Sequence, residues 1–324
     1  MKAMVCEAYG GPEVLALREV PDPGAPPAGE IQVRIQARGV QYVDVLMLAG
    51  KYQFRPEPPF IPGSEAAGVI MAVGPGVTDF RVGDRIMTRQ RLGAFAEIGN
   101  AKADLCDCVP HAMSIEEAGV FRTAYTTAYH ALLQRGRLAA GEWVLVHGAA
   151  GGIGIAAIQV AKVFGAKVIA TASTEAKRAA CLEEGADHAI DYREGFVDGV
   201  KELTGGRGVD IVYDPIGDKV AEESLRTLTW GGRLLILGFL GGGPTNIRSN
   251  YLLIKGIDAV GVRIGGLNEA NPALAIANME AITELAAQGK LKPRISHRFP
   301  LERAAEAVQA VIDRAVIGKA VLVS

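Results

Sequence analysis

The sequence predicts an α/β chain in two parts, a β-rich barrel or sandwich and a doubly wound parallel sheet. Three observations predict it: a change of texture near residue 121, six strand starts in a strand–helix rhythm after it, and a glycine-rich loop between the first of those strands and its helix. At 324 residues the chain is long enough for about two domains of ordinary size. Apolar residues make up 49% and charged residues 22%, a globular composition rather than a disordered one.

The first part reads as short strands broken by Gly and Pro. Residues 31–37 alternate apolar and polar, 67–73 form a buried-looking run, and 84–88 form a further short strand. Pro-rich loops at 21–29 and 55–63, with turns at 74–76 and 82–84, punctuate them at the short intervals of a closed β architecture.

From about Tyr125 the rhythm changes. Strands are expected at 143–147, 167–171, 188–190, 209–214, 233–238 and 257–262, the number in a complete doubly wound dinucleotide fold. Helices are expected at 152–164 and 174–184, closed by Gly165 and Gly185, then near 196–203 and at 219–228. The tail offers a long helix at 272–288, a strand at 294–299, a short helix from Leu301 and a last strand at 320–323. That last strand is expected to rejoin the first part, so the β-rich domain takes residues 1–121 and 267–324 and the parallel-sheet domain residues 122–266.

Charge and cysteine exclude several function classes. Lys and Arg number 34 against 36 Asp and Glu, a formal net charge of −2, so no nucleic-acid partner and no polybasic membrane surface are expected. Residues 1–10 carry no apolar core of a leader, and no run approaches the ~18 apolar residues of a membrane span. Cys6, Cys106, Cys108 and Cys181 are scattered, and the C-x-C pair is too tight for a zinc knuckle. A soluble protein of the reducing cytoplasm is the expectation.

The chemistry-bearing motif is Gly148-Ala149-Ala150-Gly151-Gly152-Ile153-Gly154, a G-x-x-G-x-x-G loop with a strand before it and a helix after it. Without Cβ atoms on Gly148, Gly151, Gly152 and Gly154, the backbone of the loop, that of Ile153 included, can approach a pyrophosphate, and the helix N-terminus supplies free N–H groups and a positive dipole end. The second strand tells which dinucleotide. An NAD site wants a carboxylate at its end, yet the sequence there reads Ile169-Ala170-Thr171-Ala172-Ser173-Thr174. Ser173, Lys177 and Tyr192 instead offer two hydroxyls and a cation to a 2′-phosphate, so the expected cofactor is NADPH. Glu175, at a helix start, reads as a dipole partner.

These residues, with the order of the two domains, resemble the medium-chain dehydrogenase/reductase superfamily, and most closely its zinc-free quinone oxidoreductase (ζ-crystallin-like) branch. The matching motifs run along nearly the whole chain: Gly50-Lys51-Tyr52, Pro62-Gly63-Ser64-Glu65, Gly83-Asp84-Arg85, Thr127-Ala128-Tyr129-His130, Gly185-Ala186-Asp187-His188, Val209-Asp210-Ile211-Val212-Tyr213-Asp214 and Gly318-Lys319-Ala320. The resemblance implies a GroES-like domain, a Rossmann domain and an active cleft between them. Zinc alcohol dehydrogenases of the superfamily carry a metal-binding His where this chain has Ser64, and a Cys around Val40 and Gln41; their four-cysteine lobe is also missing. No metal is therefore expected. The family segment G-V-N-x-x-D stands as Gly39-Val40-Gln41-Tyr42-Val43-Asp44, with Gln in place of Asn. By resemblance Tyr52 and Thr127 line the nicotinamide end, and Phe239 and the segment 261–266 lie near the cofactor.

Catalytic candidates are thus Tyr52, Gln41 and Thr127, as polar groups for an oxygen that gains charge. His130 and His147 read as packed histidines, Asp44 as a cap or an orienting residue, and Cys106 and Cys108 as surface cysteines. The function expected is hydride transfer from NADPH to a quinone or an α,β-unsaturated carbonyl in a homodimer. Reduction of an enoyl thioester or acrylate, and NADPH binding without catalysis, stay open beside it.

Overall fold

A computed structural model describes residues 1–324, which divide into two compact units, Met1–Thr123 with Lys292–Ser324 and Ala124–Leu291. The first unit begins with a hairpin of β1 (Lys2–Cys6) and β2 (Leu15–Glu19). Then come β3 (Glu30–Val40), α1 (Tyr42–Leu48), β4 (Glu65–Val73), β5 (Arg85–Arg89), β6 (Ile98–Lys102), β7 (Cys106–Cys108) and α2 (Ile115–Ala118). Strand β3 organises this unit. One edge pairs with β4, and the other is shared between β6 along its first half and a C-terminal strand along its second. Bulges at Gln32/Val33 and Ile35/Ala37 give the curvature this needs. Alternate residues Ile31, Val33 and Ile35 face a core that includes Met4, Leu48, Ile70, Ile86 and Phe95.

Helix α3 (Arg122–Tyr129), continued by a wider turn over His130–Arg135, opens the second unit. There follow β8 (Trp143–Val146), α4 (Gly152–Val163), β9 (Lys167–Thr171), α5 (Glu175–Glu183), β10 (His188–Ile190), α6 (Val197–Leu203) and β11 (Val209–Asp214). The unit ends with α7 (Asp218–Ser224), β12 (Leu228–Ile236), α8 (Ser249–Lys255), β13 (Asp258–Gly261), α9 (Ile264–Ala270) and α10 (Pro272–Ala287). Its six strands run parallel in the order β10-β9-β8-β11-β12-β13, the doubly wound order with the chain reversing between β8 and β11. Central strand β11 is buried at every position, as expected of a parallel strand with helices on both faces, and its apolar run is interrupted by the buried Asp210 and ended by Asp214.

The chain then returns to the first unit as β14 (Ile295–Pro300), α11 (Ala304–Ile312) and β15 (Lys319–Val323), with β15 antiparallel to β3. The first unit is thus discontinuous, and the chain re-enters it at Lys292. Helices α9 and α10 stay with the second unit, where Gln134 and Asn278 exchange two hydrogen bonds of 2.8 and 3.1 Å. The helix expected through 228 stops at Ser224, whose hydroxyl bonds back to the Val220 carbonyl and frees Leu228 for β12. Helices α1, α2, α8 and α9 were not expected. No helix is long and apolar enough to cross a membrane.

Arg38 shows how the first unit is closed. It is 0% exposed, and its guanidinium donates to the carbonyls of Ala96 and Ile35 and to the Ser324 hydroxyl at 2.6–3.2 Å. Burial pushes its pKa down to about 10, so it stays charged at neutral pH. Arg38→Met leaves those carbonyls unpaired. It is expected to cost roughly 2–4 kcal/mol in urea unfolding, the range for a stranded buried charge partner.

Candidate active site

The glycine loop sits where the sheet order reverses. His147 N–H continues the ladder to the Tyr213 carbonyl at 3.0 Å, and Gly148 then turns the chain at φ 57°, a left-handed conformation that favours glycine. Gly154 is held by close approach: a Cβ there would lie 2.5 Å from the Gly148 oxygen and 2.6 Å from the Ala149 backbone. Helix α4 begins with Gly151 as N-cap and no side-chain cap, whereas α2, α5 and α10 are capped by Ser114, Thr174 and Asn271. Its first-turn N–H groups are thus left to another acceptor, and a pyrophosphate fits this cradle.

His147 supports the loop from beneath. Its ring bonds Thr171 Oγ1 at 2.9 Å and Ser224 Oγ at 2.8 Å, and packs edge-on against Phe196. Ser224 gives its proton to the Val220 carbonyl, so it accepts from His147 Nε2–H, and Nδ1 is the acceptor towards Thr171. Burial lowers the His147 pKa to about 3, and the neutral ring ties β8, β9 and α7 together. His130 is likewise buried, on Gln134 at 3.0 Å.

Ser173 and Tyr192 follow the C-terminal ends of the paired strands β9 and β10, tied by Ala172 N–H to the Ile190 carbonyl at 3.1 Å. Lys177 lies in the first turn of α5, where its N–H bonds the capping Thr174 hydroxyl at 3.3 Å. All three side chains are half-buried. The one acid between these strand ends and Tyr192 is Asp191, and it is spoken for. It accepts from Arg178 Nη1 at 2.8 Å and from Arg193 Nη2 at 2.6 Å, and Arg193 holds it well below the usual carboxylate range. Sequence reading missed Arg178 and Arg193, although Arg193 stands beside Tyr192. Two guanidiniums on one carboxylate leave this corner cationic, which suits a phosphate better than a ribose hydroxyl.

Phe239, 51% exposed, lies on the loop after β12. That loop is stitched to the loop after β11 by Leu240 N–H to Pro215 O at 3.1 Å and Gly241 N–H to Ile216 O at 2.7 Å. Pro215 and Ile216 in turn border Gly148. The glycine loop, Ser173, Phe239 and the loop 215–217 therefore share the carboxyl-end edge of the sheet. Thr127 sits half-buried on α3, which Tyr125 Oη ties to Gln159 of α4 at 2.8 Å.

In the first unit a buried carboxylate gathers the other candidates. Glu65, 0% exposed, accepts from Thr123 N–H and from Gln41 Nε2, both at 2.8 Å, and Lys319 Nζ lies 3.9 Å away. Gln41 Nε2 also reaches Thr123 Oγ1 at 3.4 Å. The Gln41 donors thus face Glu65 and Thr123, and the amide links the start of α1 to β4. Asp44 closes the N-terminus of α1 by accepting from Gln41 N–H at 2.8 Å, while its other oxygen is buried without a partner. Desolvation raises the Asp44 pKa to about 7 and raises that of Glu65 as well. Tyr52 is half-buried on the loop after α1, where Arg55 Nε bonds its carbonyl at 3.3 Å. Ser64 faces a small internal cavity with Thr88 and Gln90. Cys106 and Cys108 alternate on β7, one buried and one exposed. No group of three or more His, Cys, Asp or Glu comes together at ligand spacing.

Two family models match the chain, the alcohol dehydrogenase GroES-like domain over residues 27–137 and the zinc-binding dehydrogenase over residues 152–280. Quinone oxidoreductase-like protein 2 of Rattus norvegicus is 35% identical, over 99% of this chain and 91% of its own. The quinone oxidoreductase of Homo sapiens is 33% identical, over 96% and 94%. The crystal structure of Escherichia coli quinone oxidoreductase complexed with NADPH superposes with a TM-score of 0.92 at 32% identity, covering both chains in full.

Two outcomes follow from this geometry. Gly154→Val would push the loop off Gly148 and is expected to weaken NADPH binding more than about tenfold in a fluorescence titration. Asp44 has a folded pKa, about 7, above its ordinary 3.8, so its stabilising contribution is full at acid pH and is lost as pH rises towards 7. Asp44→Asn is therefore expected to gain stability relative to the wild type between pH 5 and pH 8 in urea unfolding; an unchanged difference would place its pKa elsewhere.

Proposed function

The chain belongs to the medium-chain dehydrogenase/reductase superfamily, on the branch of the quinone oxidoreductases, and from that premise we propose a zinc-independent reductase that passes hydride from NADPH to a quinone or an α,β-unsaturated carbonyl. The chain is a nicotinamide-dependent oxidoreductase; the choice of NADPH, the acceptor and the absence of a metal are the proposal. The observation that carries it is the pair of substitutions at the metal-ligand positions. Val40 and Gln41 replace the thiolate, with Gln41 bound to Glu65, and Ser64 replaces the imidazole. A hydroxyl and an amide hold zinc poorly, so the carbonyl must be activated otherwise.

NADPH supplies a hydride when bound. The glycine loop and the first turn of α4 would hold its pyrophosphate, and Ser173, Lys177 and Tyr192 its 2′-phosphate, with Arg178 and Arg193 masking Asp191. The Tyr52 and Thr127 hydroxyls are the proposed donors, the first for an acceptor oxygen as it gains charge and the second for the nicotinamide end of the cofactor. A conjugated acceptor spreads the incoming electron pair, so it asks less of these donors than an aldehyde does. The carbon or oxygen left anionic takes its proton from water, and no buried acid is needed.

A homodimer is part of the proposal. Strand β13 is an unpaired sheet edge with three of its four residues exposed, and Trp230 and Leu253, 75% and 82% exposed, lie in the same unit. A cytoplasmic location fits four cysteines that form no disulfide.

NADPH oxidation assayed with a quinone, an enone and ethanal tests the reading. Turnover with ethanal alone would overturn it. Lys177→Ala is expected to raise the KM for NADPH about tenfold and that for NADH much less, as fits the loss of one charge-assisted contact. Tyr52→Phe is expected to lower kcat by about tenfold without abolishing it, because one donor among several is lost.

A further inference from the structure

Around Tyr52 the first unit carries a concentration of cations that neither the fold nor hydride transfer requires. Lys51 and Arg55 flank Tyr52 and are exposed. Arg91 stacks over the ring of Phe54, with its guanidinium carbon 5.2 Å from the ring centre. Arg89, at the end of β5, is in electrostatic contact with Tyr52, Arg91 and Arg122. One loop with two aromatics and the end of one strand with two arginines thus form a single patch, against which Glu57 is the one acid of the 51–60 segment.

The state of Arg89 is the telling feature. It is half-buried, its pKa is lowered chiefly by desolvation, and the charge of Glu65 offsets that cost only in part, without a hydrogen bond between the two. The carboxylate opposite it across the β4–β5 ladder is Glu65, which is already held by Thr123, Gln41 and Lys319. Arg122 has its own carboxylate, Asp107, at 2.8 Å. A partly desolvated guanidinium whose N–H groups are not committed to a protein acceptor, next to an aromatic pair, is a receptor for a flat molecule bearing an oxyanion.

We propose that the acceptor reduced by this enzyme carries an anionic oxygen group, a carboxylate, sulfonate or phosphate, and that Arg89 and Arg91 bind it while Tyr52 and Phe54 take its planar body. The proposal rests on the reductase reading and specifies its substrate class. Charge on the acceptor then contributes to selection before any hydride moves, through encounter rate and KM.

The full chain with NADPH is assayed on two matched pairs: naphthoquinone against naphthoquinone sulfonate, and an enone carboxylate against its methyl ester. The anionic member is expected to have a kcat/KM about tenfold higher at low salt, with the advantage shrinking as KCl is added. Arg91→Gln, at an exposed site, and Arg89→Gln are each expected to cut that ratio by about tenfold through the acceptor KM, and Arg89→Lys to restore part of it. Equal kcat/KM within both pairs for the wild type overturns the proposal. So does a variant that slows both members equally, which marks a structural arginine, or one that raises only the KM for NADPH, which marks a cofactor contact. If neither member of either pair oxidises NADPH, the reductase reading fails on its own account. Calorimetry with naphthalene sulfonate then decides the anion site: binding lost in Arg91→Gln upholds it, and no binding to the wild type overturns it.

Discussion

A carboxylate without access to water must be surrounded by donors, and the first unit is arranged around that requirement at Glu65. Thr123 N–H, the Gln41 amide and the more distant Lys319 ammonium come from three separate stretches of chain. Meeting the demand of one side chain therefore fixes the start of α1, the start of α3 and the first residue of β15 against β4. The C-terminal tail is drawn in by its lysine as well as by its strand. Breaking any one contact would leave a buried charge short of partners, which costs more than a surface ion pair could return.

The second unit obeys a different constraint. Parallel strands bring every strand-to-helix loop to the same edge, so loops distant in sequence meet without being designed for one another. At that edge the backbone must come close to itself, and Gly154 against Gly148 and Ala149 marks the tightest point of the dinucleotide loop. His147 holds the strand beneath the loop through two hydrogen bonds, and burial keeps its ring neutral. The sheet supplies position and the glycines supply access.

How much of this could be read beforehand depended on whether a demand falls on one residue or on a partner far away in sequence. The glycine loop, the parallel strands and the acid-free end of β9 are local, and the residues announce them. The fate of α10 was not local. Its apolar periodicity reads as a helix with a buried face but does not say which core receives it; the Gln134–Asn278 contact decides that across 144 positions. Helices α8 and α9 were hidden because their apolar residues are not gathered on a buried stripe: Leu253 and Ile254 are 82% and 66% exposed. The bond from Gln41 to Glu65 was hidden for the same reason as the placement of α10: the pairing of β3 with β4 brings together residues 24 positions apart.

The same network bears on the chemistry proposed. A metal-dependent relative would spend the Val40–Gln41 and Ser64 positions on ligands; here one is occupied by an amide held to Glu65 and another opens on a small cavity. Removing a Lewis acid shifts the burden of charge stabilisation onto the substrate, and conjugation is the cheapest way for a substrate to carry it. Hydrogen-bond donors that are merely adequate for an aldehyde suffice when the electron pair is already spread over several atoms. What the site then has left to provide is discrimination among flat acceptors of similar reactivity. Aromatic faces do not distinguish them well, because each offers much the same apolar area. A charge on the acceptor does, because a desolvated guanidinium gains far more from an oxyanion than from a neutral ring. Arg89, whose nearest carboxylate Glu65 is shared with Thr123, Gln41 and Lys319, is where that distinction would be made.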